Sequence, residues 1–158
     1  MSSLPVHEAK HYPYGERRLP QRLMLYWEQL KGDRLMPEEN DIDPDVLGPD
    51  WDYCFVLQTR DLANVTDYNF TYLGKQIIAA HHDGRLDGCA DMLVSTNARM
   101  LSSRFARVLE TKAPVLEEGE FLTTHGRRVF YRQCILPLGN EKDGVLAFFG
   151  GMYFKFIE

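Results

Sequence analysis

The sequence predicts an α+β domain, an antiparallel sheet with helices on one face, and three observations carry that expectation. Apolar residues first recur with the helical period, from Leu19 to Leu30, and then alternate in steps of two from Trp51 onward. The patterns follow the order helix, two strands, helices, three strands, which fits an α+β layer. The chain also carries 2 Trp, 8 Tyr and 9 Phe, or 12% aromatic residues, and large rings suit half-buried sheets and small-molecule pockets.

At 158 residues the chain has the length of one domain. Its 44% hydrophobic and 26% charged residues are those of a globular protein rather than a disordered one. The 18 Lys and Arg against 23 Asp and Glu leave a net charge of −5, which argues against nucleic acid as a partner. Cys54, Cys89 and Cys134 are odd in number and lack a C-x-x-C spacing, as expected of free thiols in a reducing compartment. Residues 1–18 have no apolar core of a signal peptide, and the most apolar stretch, Val145 to Phe154, is far short of the ~20 residues that span a bilayer. A cytoplasmic protein with no membrane partner is expected.

Residues 1–16 show no periodicity and read as a flexible lead-in. Leu19, Leu23, Tyr26, Trp27 and Leu30 then form one helical stripe, with Pro20 tolerated in the first turn and Gly32 placed to end it. An acidic, solvated connector, Pro37 to Asp52, follows. Inside it, Asp43-Pro44 reads as a cap and first helical residue of a short turn closed by Gly48-Pro49. Tyr53, Phe55 and Leu57 alternate as a first strand. Phe70 and Tyr72, with Tyr68, alternate as a second, antiparallel to the first. Ile77 and Ile78 fall in a short helix, and Asp83-Gly84 and Asp87-Gly88 mark turns. A longer helix is expected from about Ala98 to Glu110, stopped by Pro114. Val115 to Thr123, Arg127 to Leu138 and Val145 to Phe156 read as three strands joined by turns at His125-Gly126 and Asp143-Gly144.

Several motifs imitate known chemistry. His7-Glu-Ala-Lys-His11 matches H-E-x-x-H, but Pro5 and Pro13 bracket it and leave no stable helix to aim two imidazoles at a zinc ion. Asp41, Asp43, Asp45 and Asp52 follow the rhythm of a calcium loop, which requires glycine where Val46 stands. His81-His82 with Asp83 read as exposed loop residues, and Cys89 has no legible base or oxyanion hole. Cys54 and Cys134 read as small core hydrophobes. No metal site is expected. Among the arginines flanking apolar patterns, Arg104, beside Phe105, is the one placed to meet a carboxylate or phosphate in an aromatic cavity. Gly150-Gly151 removes side chains where a ligand or another backbone could approach.

Leu23-x-x-Tyr26-Trp27-x-x-Leu30-x-Gly32-x-Arg34-x-x-Pro37, followed by Asp41-Ile-Asp43-Pro44, resembles the opening of a family of small bacterial PAS-superfamily proteins. Tyr72-Leu-Gly74 with Ile77, and Tyr131-Arg-Gln-Cys-Ile-Leu-Pro-Leu-Gly139, are similar to that family's second strand and turn and to its fourth strand. The resemblance spans roughly residues 19 to 156. It implies a PAS-like five-stranded antiparallel sheet, short helices between strands 2 and 3, and an N-terminal helix packed outside. It implies neither flavin nor haem. Gly84-Arg85 is followed by Leu86-Asp87-Gly88-Cys89 instead of the light sensors' Asn-Cys-Arg-Phe, and Ala98 to Lys112 holds no histidine.

Three segments are therefore expected: residues 1–16 as lead-in, 17–50 as helix and connector, and 51–158 as the PAS-like sensor core. The expected function is a non-catalytic sensory or signalling module that binds a small apolar or amphipathic molecule between sheet and helices. Its lining would be Phe55, Phe70, Tyr72, Arg104, Phe105, Tyr131 and Phe148, around a cavity of about 300–1,000 Å³. The alternative is an interaction module filled by its own rings. An α+β-cone enzyme using His81 and Asp83 ranks last. A homodimer is expected through Leu23, Met24, Tyr26, Trp27 and Leu30, because a helix this apolar needs a second partner. Any output would pass through a signalling partner protein.

Overall fold

A computed structural model describes residues 12–59, 70–81, 106–122 and 125–157. Helix α1 spans Leu19–Lys31 with proline in its first turn, and it ends at Gly32, whose φ of 56° only glycine adopts readily. The connector folds into a 3-10 turn, Glu39–Asp41, then helix α2, Pro44–Leu47, then a 3-10 segment, Gly48–Tyr53. The Asp43 carboxylate accepts from the Asp45 N–H at 3.0 Å, so Asp43 and Pro44 act as cap and first residue of α2.

The sheet begins at Cys54, not at Trp51. The expected alternation at Trp51–Tyr53 is replaced by the 3-10 segment, in which Pro49 fixes the entry geometry. Strands β1 (Cys54–Gln58) and β2 (Phe70–Leu73) are followed by helix α3 (Lys75–His81). Strands β3 (Val115–Leu122), β4 (Arg128–Asn140) and β5 (Gly144–Ile157) follow a helical segment over 106–111. All neighbours are antiparallel, in the order β2-β1-β5-β4-β3. Gly126 and Gly144 take φ of 81° and 78° in the two expected turns.

The sheet has a core on each face. On the outer face, α1 lays Leu23, Tyr26 and Trp27 against Cys54, Leu136 and Phe149. On the inner face Phe55, Leu57, Ile135 and Phe148 pack with Ile77 of α3 and Val108. Each large side chain so buried is worth roughly 1.5–3 kcal/mol.

Two expectations change here. Leu23, Tyr26 and Trp27 are buried inside the chain at 0, 1 and 2% exposure, so they are not a dimer interface. Their second partner is the connector, which adds Ile42, Val46 and Leu47 to the same cluster and leaves Met24 and Leu30 partly buried. The lead-in is docked at its end, where Tyr12 is buried against Tyr26 with ring centroids 5.4 Å apart. Residues 1–11, with the H-E-x-x-H match, lie outside the described residues.

Candidate functional site

The outer face explains why the Tyr-Trp and Asp-Ile-Asp-Pro elements occur together. The Trp27 indole N–H donates to the Pro137 carbonyl at 2.8 Å, and the Asp43 N–H donates to the Tyr26 hydroxyl at 3.1 Å. The Gly139 N–H donates to the Pro37 carbonyl at 2.9 Å. Helix, connector and β4 are thus joined by three bonds at the ends of bulky side chains and turns.

Beneath the start of α1 lies a charged cluster that the sequence did not disclose. Arg22 grips Asp50 with two N–H donors at 2.8 and 2.9 Å, and the Tyr12 hydroxyl donates to the same carboxylate at 2.6 Å. The Cys54 thiol donates to the Asp50 carbonyl at 3.2 Å. Burial, then the hydrogen bond to Asp50, push the Tyr12 hydroxyl far above its ordinary range, and burial raises the Cys54 thiol. Asp50 belongs to the acidic stretch read as solvated, yet it is 9% exposed. A carboxylate and a guanidinium are tolerated here because the bidentate geometry satisfies both.

The inner face has two halves of different character. Near β1, Phe55 stands opposite Gly150, and its ring lies 2.5 Å from where a Cβ on that glycine would be. On the other face Leu23 comes within 2.2 Å of the Cβ position of Gly151. Of the two expected occupants, a ligand or another backbone, the glycine pair admits backbone, the Cys134 carbonyl 2.3 Å from the Cβ position of Gly150, together with the chain's own side chains on each face. Phe148, Leu57 and Ile135 fill the same half at 0% exposure.

Near β3 the inner face turns polar. Tyr131 and Gln133 share the face of Ile135 by alternation along β4, whose register is unbroken up to Leu138. Gly119 of β3, paired with Tyr131, makes room for the tyrosine ring, since a Cβ there would lie 2.8 Å from the hydroxyl. The Gln133 amide donates to the Glu117 carboxylate across the same strand pair. Gln133 is 1% exposed, and its Oε1 has no hydrogen-bond partner. A buried acceptor left unpaired costs about 1–3 kcal/mol, which makes it conspicuous in a fold that pairs the great majority of such atoms.

Of the residues expected to line a ligand site, Phe55, Phe148 and Tyr131 share the inner face. Tyr72 does not. It pairs with Val56 of the outer cluster, stacks on Trp51 at 4.0 Å and 9°, and donates to the Trp51 carbonyl at 2.9 Å. Burial pushes its hydroxyl up to about 12. Phe70 stands opposite Leu57 in register. Arg104 and Phe105 lie outside the described residues, as do His82, Asp83 and Cys89. Sequence reasoning missed Gln133, though a signal was present, a lone amide on the buried parity of Tyr131, Gln133 and Ile135.

A family model described as "PAS domain" matches residues 17–153. The chain belongs to the PAS domain family. PAS domains are in general sensory and signalling modules without catalysis of their own, and the five-stranded antiparallel sheet with α1 outside agrees with that fold. The match covers nearly the same stretch as the sequence resemblance, and the bonds from Trp27, Tyr26 and Pro37 are what its motif residues do in this PAS domain. No curated protein matches the chain. Similar solved structures include the N-terminal domain of a diguanylate cyclase with PAS/PAC sensor from Marinobacter aquaeolei, at 15% identity and TM-score 0.47 over 63% of this chain and 91% of that one. A PAS domain of a protein from Colwellia psychrerythraea is 11% identical, TM-score 0.46, over 66% and 85%. The PAS domain of the fruit-fly ELK potassium channel is 16% identical, TM-score 0.41, over 65% and 85%. Among the described residues no helix is long and apolar enough to cross a membrane.

Proposed function

We propose that this PAS domain is a non-catalytic cytoplasmic sensory module that holds a small amphipathic molecule, non-covalently, on the β3–β4 half of its inner face. The observation that carries this reading is the buried, unpaired Gln133 Oε1. A ligand N–H or O–H would supply the missing donor, and its apolar part would lie along Tyr131 and Met152. Arg104, Phe105 and Phe70 remain proposed contributors from the elements that follow β1. Neither flavin nor haem is required, and the output passes to a partner protein.

The test is linkage. Protein purified from its own host melts several degrees higher than the same protein stripped by unfolding and refolding, because a retained ligand stabilises only the folded state. Gln133→Leu abolishes that difference. Identical melting of retained and stripped wild-type protein would overturn the proposal.

A second reading, an interaction module with no ligand, is favoured by one observation, the Phe55 ring occupying the space beside Gly150. It requires the same self-filling to extend to the Gln133 half, and the unpaired oxygen argues against that.

A further inference from the structure

The two faces of the β3–β4 pair give their carboxylates different partners. On the outer face Glu118 of β3 pairs with Arg132 of β4 at 3.2 Å, and Glu120 pairs with Arg128 at 2.6 Å. Glu117, on the inner face, stands in register with Gln133 and accepts a hydrogen bond from an amide that brings no charge. Alternation defines the inner-face positions of β3 from Val115 to Gly119, of β4 from Val129 to Ile135 and of β5 from Gly150 to Phe154. These positions hold one carboxylate, Glu117, and no lysine or arginine.

The inner pairing fixes a polarity. A carboxylate only accepts hydrogen bonds, so Glu117 holds the Gln133 amide by its NH2 end and turns the carbonyl end away from itself. That carbonyl oxygen, Oε1, is the buried atom without a partner. The amide does not turn over to offer its N–H groups, because Oε1 would then meet a carboxylate, acceptor against acceptor. The pair therefore presents acceptors, and the residue opposite Gln133 on β5 is the apolar Met152.

We propose, resting on the reading that this face holds a ligand, that the ligand's polar head is a single amine and that Glu117 selects it by fixing which end of the Gln133 amide faces the site. An amine supplies the N–H that Oε1 lacks, and as an ammonium it is drawn to the carboxylate beside that oxygen. A carboxylate or phosphate head would set acceptor against acceptor and like charge against Glu117. It would find no lysine or arginine on these strand positions to offset the cost. A polyamine fits no better, since its second charge would lie along Met152 and Ile135 with no second carboxylate on these positions. Glu117 acts through Gln133 and is a positioning residue.

The test reads the chemistry of what the protein carries. The full chain purified from its own host is denatured, and the released small molecules are treated with an amine-selective succinimidyl ester and weighed by mass spectrometry. Wild-type protein releases a near-stoichiometric compound that takes up one acyl group. A released compound that takes up none, or several, overturns this inference and leaves the ligand reading standing, whereas no released compound removes that reading and this inference with it. Two variants prepared in parallel test the selection, each checked for cooperative melting. In Glu117→Lys the new side chain only donates, so the amide turns Oε1 toward it, and the protein carries about tenfold less of the amine. Glu117→Gln, which still accepts through its own carbonyl, retains it. Undiminished amine in Glu117→Lys, or equal loss from both variants, would overturn the role of Glu117.

Discussion

On the outer face of the sheet the long-range polar contacts around α1 are closed: Trp27 on Pro137, Tyr26 on Asp43, Arg22 and Tyr12 on Asp50. On the inner face Gln133 is equally buried, and it alone among the described residues keeps a buried side-chain nitrogen or oxygen without a hydrogen-bond partner. The difference separates two uses of buried polarity. Paired groups on the outer side fix where helix and connector lie. An unpaired acceptor contributes nothing to that and costs stability, which is the ground for the proposed ligand.

Breaking the outer side gives the largest effects. Trp27→Ala removes a large ring at 2% exposure together with its bond to Pro137, and destabilisation of about 4 kcal/mol is expected in urea unfolding. Asp50→Ala strands the Arg22 guanidinium and the Tyr12 hydroxyl, and a loss of about 3 kcal/mol is expected. Cleavage by protease ahead of Arg17 should also quicken in Asp50→Ala, because Tyr12 loses its anchor.

The inner pair responds in the opposite direction. Replacing the buried amide alone, Gln133→Leu, removes a desolvated acceptor that has no partner and raises the stability of stripped protein by about 1 kcal/mol. A fall of the size expected for Asp50→Ala would assign Gln133 the same structural role and erase the contrast.

The smallest effect concerns pH. The Tyr72 hydroxyl is held up at about 12 against its ordinary 10.0, and Tyr12 is shifted in the same direction. The fold thus keeps protons that the unfolded chain gives up first. The stability these groups contribute is complete below pH 10 and is lost as pH climbs toward 12. Urea midpoints should therefore decline over that interval, and Tyr72→Phe should flatten part of the decline.

Much of the fold was legible because its signals are local. The α1 stripe with Pro20 and Gly32, the cap at Asp43, and the turns at Gly126 and Gly144 follow from backbone chemistry within a few residues. What was not legible depends on contacts distant in sequence. Asp50 looks like one more acid in an acidic connector until Arg22, 28 residues away, closes on it. Regular alternation along β2 puts Tyr72 on the face of Phe70, but the pairing is not regular. The register shifts between Val56 and Leu57, and Tyr72 follows Val56 to the outer side. The dimer reading failed for Leu23, Tyr26 and Trp27 because periodicity reports an apolar stripe without reporting what covers it, and here sheet and connector together do so. The Gly150-Gly151 pair signals a close approach, and only the fold shows that the Cys134 carbonyl, Phe55 and Leu23 make it.

On the proposed reading, the β3–β4 half of the inner face is completed by a small molecule that donates a hydrogen bond to Gln133. Native mass spectrometry of the protein purified from its own host tests it most directly. A discrete adduct of small-molecule mass is expected on the wild-type chain, lost on collisional activation without cleavage of the protein, and absent from Gln133→Leu prepared in parallel. A wild-type spectrum showing only the mass of the bare chain, or an adduct of undiminished intensity on Gln133→Leu, would contradict it.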